Sequence, residues 1–141
     1  MPEYTAINRQ TVPAGQNVPF TESPVPCNKG YVVHREGSGV FTLRGITNQR
    51  CARYKVSFGG NIAIPAGGTV GPISVALALE GEPLGSATAI VTPAAVDEFF
   101  NVFAAVYVTV PCGCCVSVAV ENTSTQPIDI QNANIIIERV A

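Results

Sequence analysis

The sequence predicts an all-β chain, an antiparallel β-sandwich with jelly-roll topology, on three observations. Large and small residues alternate with a period of two. Ile73, Val75, Leu77 and Leu79 point one way and Ser74, Ala76 and Ala78 the other, as in an extended strand. Turn residues punctuate the chain, as in Glu36-Gly-Ser-Gly39, Pro65-Ala-Gly-Gly68 and Glu80-Gly-Glu-Pro83. No long stretch carries the period of an amphipathic helix, and residues 93–97 hold one helical turn at most. About eight strands at roughly ten-residue spacing make a sandwich or jelly roll.

The elements follow in chain order. Residues 1–29 carry Pro2, Pro13, Pro19, Pro24 and Pro26 and no long apolar run. Proline lacks a ladder donor and breaks helices, so this segment reads as an extended N-terminal arm with a short strand near residues 17–20. Val18 and Phe20 are then placed to fill gaps on a neighbouring subunit; a disordered tail is the alternative. Residues 30–141 make up the jelly-roll domain.

Strands are predicted at residues 31–35, Val40–Arg44 and 53–64. The last carries Tyr54, Val56 and Phe58 on one face and a bulge expected at Gly59-Gly60. Ile73–Leu79 and residues 86–92 and 99–110 follow. Val116, Val118 and Val120 then alternate with Ser117, Ala119 and Glu121. Residues 122–126 turn the chain, and Ile128 and Ile130 lead to Ile135, Ile136 and Ile137. A strand this apolar is expected inside a sheet, because a free edge invites aggregation.

Neither face of Ile73–Leu79 bears a charge, and charged residues are 13% of the chain, against about a quarter in an ordinary globular domain. A small chain with so little charge is expected to cover its surface by assembling. Ser74, Ala76, Ala78, Ser117 and Ala119, suited to a flat contact, are the candidate assembly surface with Val18 and Phe20. The net charge is −2, and Arg50, Arg53 and Lys55 are the only local basic group. That leaves no electrostatic footprint for nucleic acid. No run reaches the roughly eighteen apolar residues of a membrane-spanning helix. No basic-then-apolar leader is visible near Met1, so assembly inside a cell, or a mature fragment, is expected.

Catalytic and metal constellations are weak. Cys112-Gly-Cys-Cys115 is the densest cluster, with Cys27 and Cys51 elsewhere. Neighbouring strand residues point to opposite faces, and the second Cys-x-x-Cys of a zinc site is missing. Small core thiols, or disulfides after export, are the other readings of these cysteines. His34 is the only histidine and has no nucleophile assigned to it by sequence. Asp97-Glu98 reads as a solvated turn, and Gly67-Gly-Thr-Val-Gly71 lacks the Lys-Ser/Thr ending of a phosphate loop. No cofactor, no metal and no catalytic residue are expected.

Three segments carry a resemblance. They are Arg53-Tyr-Lys-Val-Ser-Phe-Gly-Gly-Asn-Ile62, residues 75–83, and residues 116–141 with Glu121-Asn-Thr-Ser124 and Asn132-Ala-Asn-Ile-Ile-Ile137. Together they resemble the tumour-necrosis-factor-like and complement-globular-head-like jelly rolls of bacteria and phages. The ends of collagen-like spore-surface proteins are similar. The resemblance implies a homotrimer with a structural or adhesive role. This chain has no Gly-X-Y stalk. The expectation is therefore a phage virion accessory protein, a capsid decoration or head fibre, partnered by capsid or other surface-layer proteins. A spore-surface or filament subunit is the alternative. A carbohydrate-binding module comes third, because the chain has no tryptophan and four tyrosines.

Overall fold

A computed structural model describes residues 2–27 and 30–141. The described residues form two packed antiparallel sheets and no helix. The first sheet runs β3 (Glu22–Val25), β1 (Glu3–Ala6), β11 (Ile128–Arg139), β6 (Cys51–Ala63), β9 (Phe100–Pro111), and β2 (Gln10–Val12) also pairs with β11. The second runs β4 (Val32–His34), β5 (Val40–Arg44), β10 (Cys115–Asn122), β7 (Ile73–Leu79), β8 (Glu82–Val91).

The alternation read from sequence becomes the core. Tyr54, Val56, Phe58 and Ile62 of β6 and Ile128, Ile130, Ile135 and Ile137 of β11 face inward and are buried. They meet Phe41 and Leu43 of β5, Ile73, Val75 and Leu77 of β7, and Val118 and Val120 of β10. Residues 93–97 form bends and a turn, not a helix. The expected bulge lies one strand away. Gly59 and Gly60 stay in register with Phe103 and Val102 of β9, while the β11–β6 register shifts between Gln131 and Asn134. Asn132 takes up the shift at φ 54. Gly60 lets β11 pass closely there, since a Cβ would press on Ala133 Cα at 3.2 Å.

The largest correction concerns the N-terminal segment. It is extended, but it is not an arm outside the sandwich, and the boundary at residue 30 does not hold. β1 pairs with β11 on one side and β3 on the other, and β2 pairs with the first half of β11. The chain then crosses to the second sheet, where Asn17 bridges Glu121 and the Val18 amide donates to the Val120 carbonyl at 2.8 Å. Val18 and Phe20 are fully buried in the chain's own core, so they fill no gap on a neighbour. The prolines permit this by their positions. Pro2, Pro13, Pro19 and Pro26 lie outside the strands, and Pro24 sits in β3 at a sheet edge, where a missing donor is tolerated.

Two polar groups tie the segment down. Asp129 of β11 is buried and accepts from Arg9 Nε at 2.8 Å and from the Thr11 hydroxyl at 2.5 Å. Arg9 also bridges to Asp97. Asn122 is fully buried, and its Nδ2 donates to the carbonyls of Val12 and Gln126, both at 3.0 Å. Its Oδ1 accepts from the Ser124 amide at 2.9 Å. One side chain thereby joins the β2 end to the β10–β11 turn.

Three outcomes follow from this packing. Leu77→Ala should lower unfolding free energy by about 2–5 kcal/mol in a denaturant titration. Asn122→Ala should cost on the order of 3 kcal/mol, because it strands buried carbonyls. Burial raises the Tyr4 and Tyr54 hydroxyls above the ordinary tyrosine value, with Cys27 adding to Tyr4 and Arg139 opposing at Tyr54. A raised folded pKa means stability intact below the unfolded value of about 10 and lost as pH rises through the folded one. Absorbance titration should show both tyrosines ionising late, in step with alkaline unfolding.

Candidate assembly face

The alternation that sends apolar residues into the core sends a second set outward from the first sheet. On β9 the outward residues are Asn101, Phe103, Ala105, Tyr107 and Thr109. Phe103 is 66% and Tyr107 68% exposed. Register lays Ser57 of β6 beside Ala105, and Ile136 of β11 beside Ser57. Gly59 lies beside Phe103, and Asn134 beside Gly59. The middle of this face is therefore aromatic, small or aliphatic and bears no charge. Charges stand around it at Glu3, Lys55, Arg53 and Glu138, with Glu3 accepting from Asn134 Nδ2 at 3.0 Å. An apolar centre inside a polar rim is the anatomy of a protein–protein contact, and exposed aromatics are its usual anchors.

The small residues singled out by sequence lie on the outer face of the other sheet. Ser74, Ala76 and Ala78 alternate with the inward Ile73, Val75 and Leu77, and Ala119 pairs with Ala78. Ser74 and Ser117 are half-buried. Ser74 is bonded through its hydroxyl to Thr123 at 2.6 Å, and the Ser117 amide donates to Glu80 at 2.9 Å. Ala76, Ala78 and Ala119 are no more than 7% exposed within the single chain. Glu121 and Thr88 flank Ala76, and Val40 flanks Ala119. The three alanines themselves offer little apolar area to a partner. The exposed apolar residues of this face stand around them: Ile90 beside Ser74 at 67%, Val40 beside Ala119 at 40% and Val33 on β4 at 52%.

Sequence reasoning placed residues 99–110 in a strand without separating its two faces. The period-two count that put Ala104 and Val108 inside puts Phe103 and Tyr107 outside, so the signal was present.

The candidate chemical groups do not converge. The His34 ring nitrogens face two carbonyl oxygens, Val40 at 3.2 Å and Phe20 at 3.1 Å, and the ring stacks on Phe41 at 4.1 Å. Asp97 is held by Arg9. Cys112, Cys114 and Cys115 are exposed at the β9–β10 hairpin tip, and Cys51 is half-buried next to Pro111 across the ladder. Gly113 turns the tip at φ 78. Gly45 must be glycine beneath it, since a Cβ would sit 2.1 Å from the Pro111 carbonyl oxygen. Among the described residues, no group of three or more His, Cys, Asp or Glu side chains is arranged to hold a metal.

No protein-family model and no curated protein matches the sequence. Solved structures do match. Eiger TNF from S. frugiperda superposes with a TM-score of 0.72 at 14% identity, over 100% of this chain and 92% of that one. The globular domain of zebrafish complement 1qA superposes with a TM-score of 0.59 at 13% identity, over 95% of this chain and 92% of that one. The sugar-binding EclA C-terminal domain matches at a TM-score of 0.42 and 18% identity, over 93% of this chain and 80% of that one. The fold is a TNF-like, complement-globular-head-like jelly roll.

The exposed hairpin tip sets a simple expectation. Under native, reduced conditions a thiol reagent should label Cys112, Cys114 and Cys115 fast and Cys51 more slowly, and mass spectrometry should find no stoichiometric zinc. Slow labelling of all three tip residues, or bound zinc, would contradict this placement.

Proposed function

We propose that the chain is a structural, non-catalytic building block that closes into a homotrimer through the outer face of its first sheet. The observation that carries this reading is the pair Phe103 and Tyr107, exposed at 66% and 68% around an uncharged centre of Ser57, Gly59 and Ala105, with Lys55 on the rim beside Tyr107. Leaving two such rings in water forgoes burial worth about 1.5–3 kcal/mol for a large apolar side chain. A second copy of a chain with few surface charges is a fitting cover.

The geometry favours a ring over a two-fold pair. β8 and β9 are the edge strands of their sheets and lie against one another. Ile90 on β8 and Phe100 at the start of β9 extend the exposed apolar surface around that edge. An edge set against the next copy's face is a heterologous contact, which closes into a cyclic oligomer when the rotation permits. The likeness in fold to TNF and complement globular domains supports three copies. The smooth Ser74, Ala76, Ala78, Ser117 and Ala119 surface is the outward side of such a particle, open to a further contact.

On a larger scale, our reading is a phage virion accessory protein, a capsid decoration or head fibre, with capsid proteins as partners. The low charge, 13% of residues, supports a place among other subunits of a larger particle. Proteomics of purified virions tests this, and recovery from spore coats instead would move the protein to the alternative.

Sedimentation at micromolar concentration should give a particle of three chains. Phe103→Glu combined with Tyr107→Glu should give a folded monomer with unchanged far-ultraviolet circular dichroism. A wild-type monomer, or a trimer indifferent to both substitutions, would reject the proposed interface.

A further inference from the structure

Residues of both sheets line a cavity of about 720 Å³, within the usual range of small-molecule sites. Its walls are Val25 of β3, Val32 of β4, Tyr31, Tyr54 of β6 and Ile137 of β11. Arg139 follows Ile135 and Ile137 on the core-facing side of β11, so the strand's alternation aims a cation inward. The guanidinium stacks over the Tyr31 ring, 4.4 Å from its centroid. Its Nη1 is buried and has no hydrogen-bond partner.

A buried donor without an acceptor costs free energy, more so when charged. Groups of this kind are rare in native proteins and call for a cause. The Tyr54 hydroxyl donates to the Arg44 carbonyl at 2.6 Å and turns its lone pairs toward the guanidinium, which opposes the rise in its pKa, but it is a neutral acceptor and leaves Nη1 without a bonded partner. Glu138 lines the rim, but by alternation it belongs to the opposite face of β11.

We infer that this cavity binds a small molecule with an apolar body and a single carboxylate. The carboxylate would accept from Arg139, whose planar fork suits two parallel hydrogen bonds. The body would lie against Val25, Pro26 and Tyr31, lining residues that keep accessible surface. A guanidinium beside a largely apolar wall, with Glu138 at the rim, selects against molecules that are all apolar or carry several negative charges. The site is independent of the assembly face, since Arg139 points away from it.

The probes are 4-phenylbutyrate, 4-phenylbutanol and acetate, titrated by calorimetry into the intact chain. 4-Phenylbutyrate should bind at least about tenfold tighter than 4-phenylbutanol, the size of one charge-assisted hydrogen bond, and acetate should not bind measurably. Arg139→Gln should remove the preference for the acid and change the thermal midpoint of the free protein little, because losing the stack on Tyr31 is offset by relief of the unpaired buried donor. Arg139→Lys should keep part of the preference. Equal affinity for acid and alcohol, no binding of the acid at millimolar concentration, or a preference that survives Arg139→Gln would overturn the assignment. An Arg139→Gln chain that melts well below the wild type would also overturn it, by making the arginine a structural group.

Discussion

The structure depends on one strand, β11, being flanked on both sides along its length. Its inward isoleucines are among the largest buried side chains, and its backbone pairs with β6 on one edge and with β1 and β2 on the other. An apolar strand with an open edge would be a template for aggregation. The N-terminal segment removes that edge by pairing with it. Arg9 and Thr11 reach Asp129 across more than a hundred residues of sequence, so the sheet closes only when both ends of the chain meet. Such long-range pairing costs loop entropy before its contacts form and favours slow, cooperative folding.

Much of the sandwich was legible in local chemistry. Period-two alternation marked β6, β7 and β10, apolar runs marked β5 and β9, and turn residues separated them. The same rule misjudged the first 29 residues, because proline content describes what a segment cannot do, not what it pairs with. With four of the five prolines outside strands and Pro24 on an edge, the segment keeps its donors where β11 needs them. Val18 and Phe20 were correctly marked as burying apolar surface, but the surface lies in their own core. Asn122 and Asp129 carry no local sign of their roles, since their partners lie 110 and 118 residues away.

The two outer faces show why orientation and exposure are separate questions. Alternation correctly turned Ser74, Ala76 and Ala78 outward. It did not reveal that cross-strand neighbours already shield the alanines. On the first sheet the neighbours of Phe103 are Gly59 and Asn134, too small to cover a ring, so the aromatics remain available. Arg139 was also readable, in phase with Ile135 and Ile137, but a cation at the end of an isoleucine row passes for a strand terminus until the row is seen to face the core.

The central claim is that the N-terminal segment completes the sandwich instead of decorating it. The most direct measurement is the thermal melt and near-ultraviolet circular dichroism of a chain lacking residues 2–25. Loss of β1, β2 and β3 uncovers the edge of β11 and removes Tyr4, Val12, Val18 and Phe20 from the core, so this chain should show no cooperative melt and should aggregate. A truncated chain that melts cooperatively near the full-length midpoint would contradict the account and restore the segment to the status of an arm.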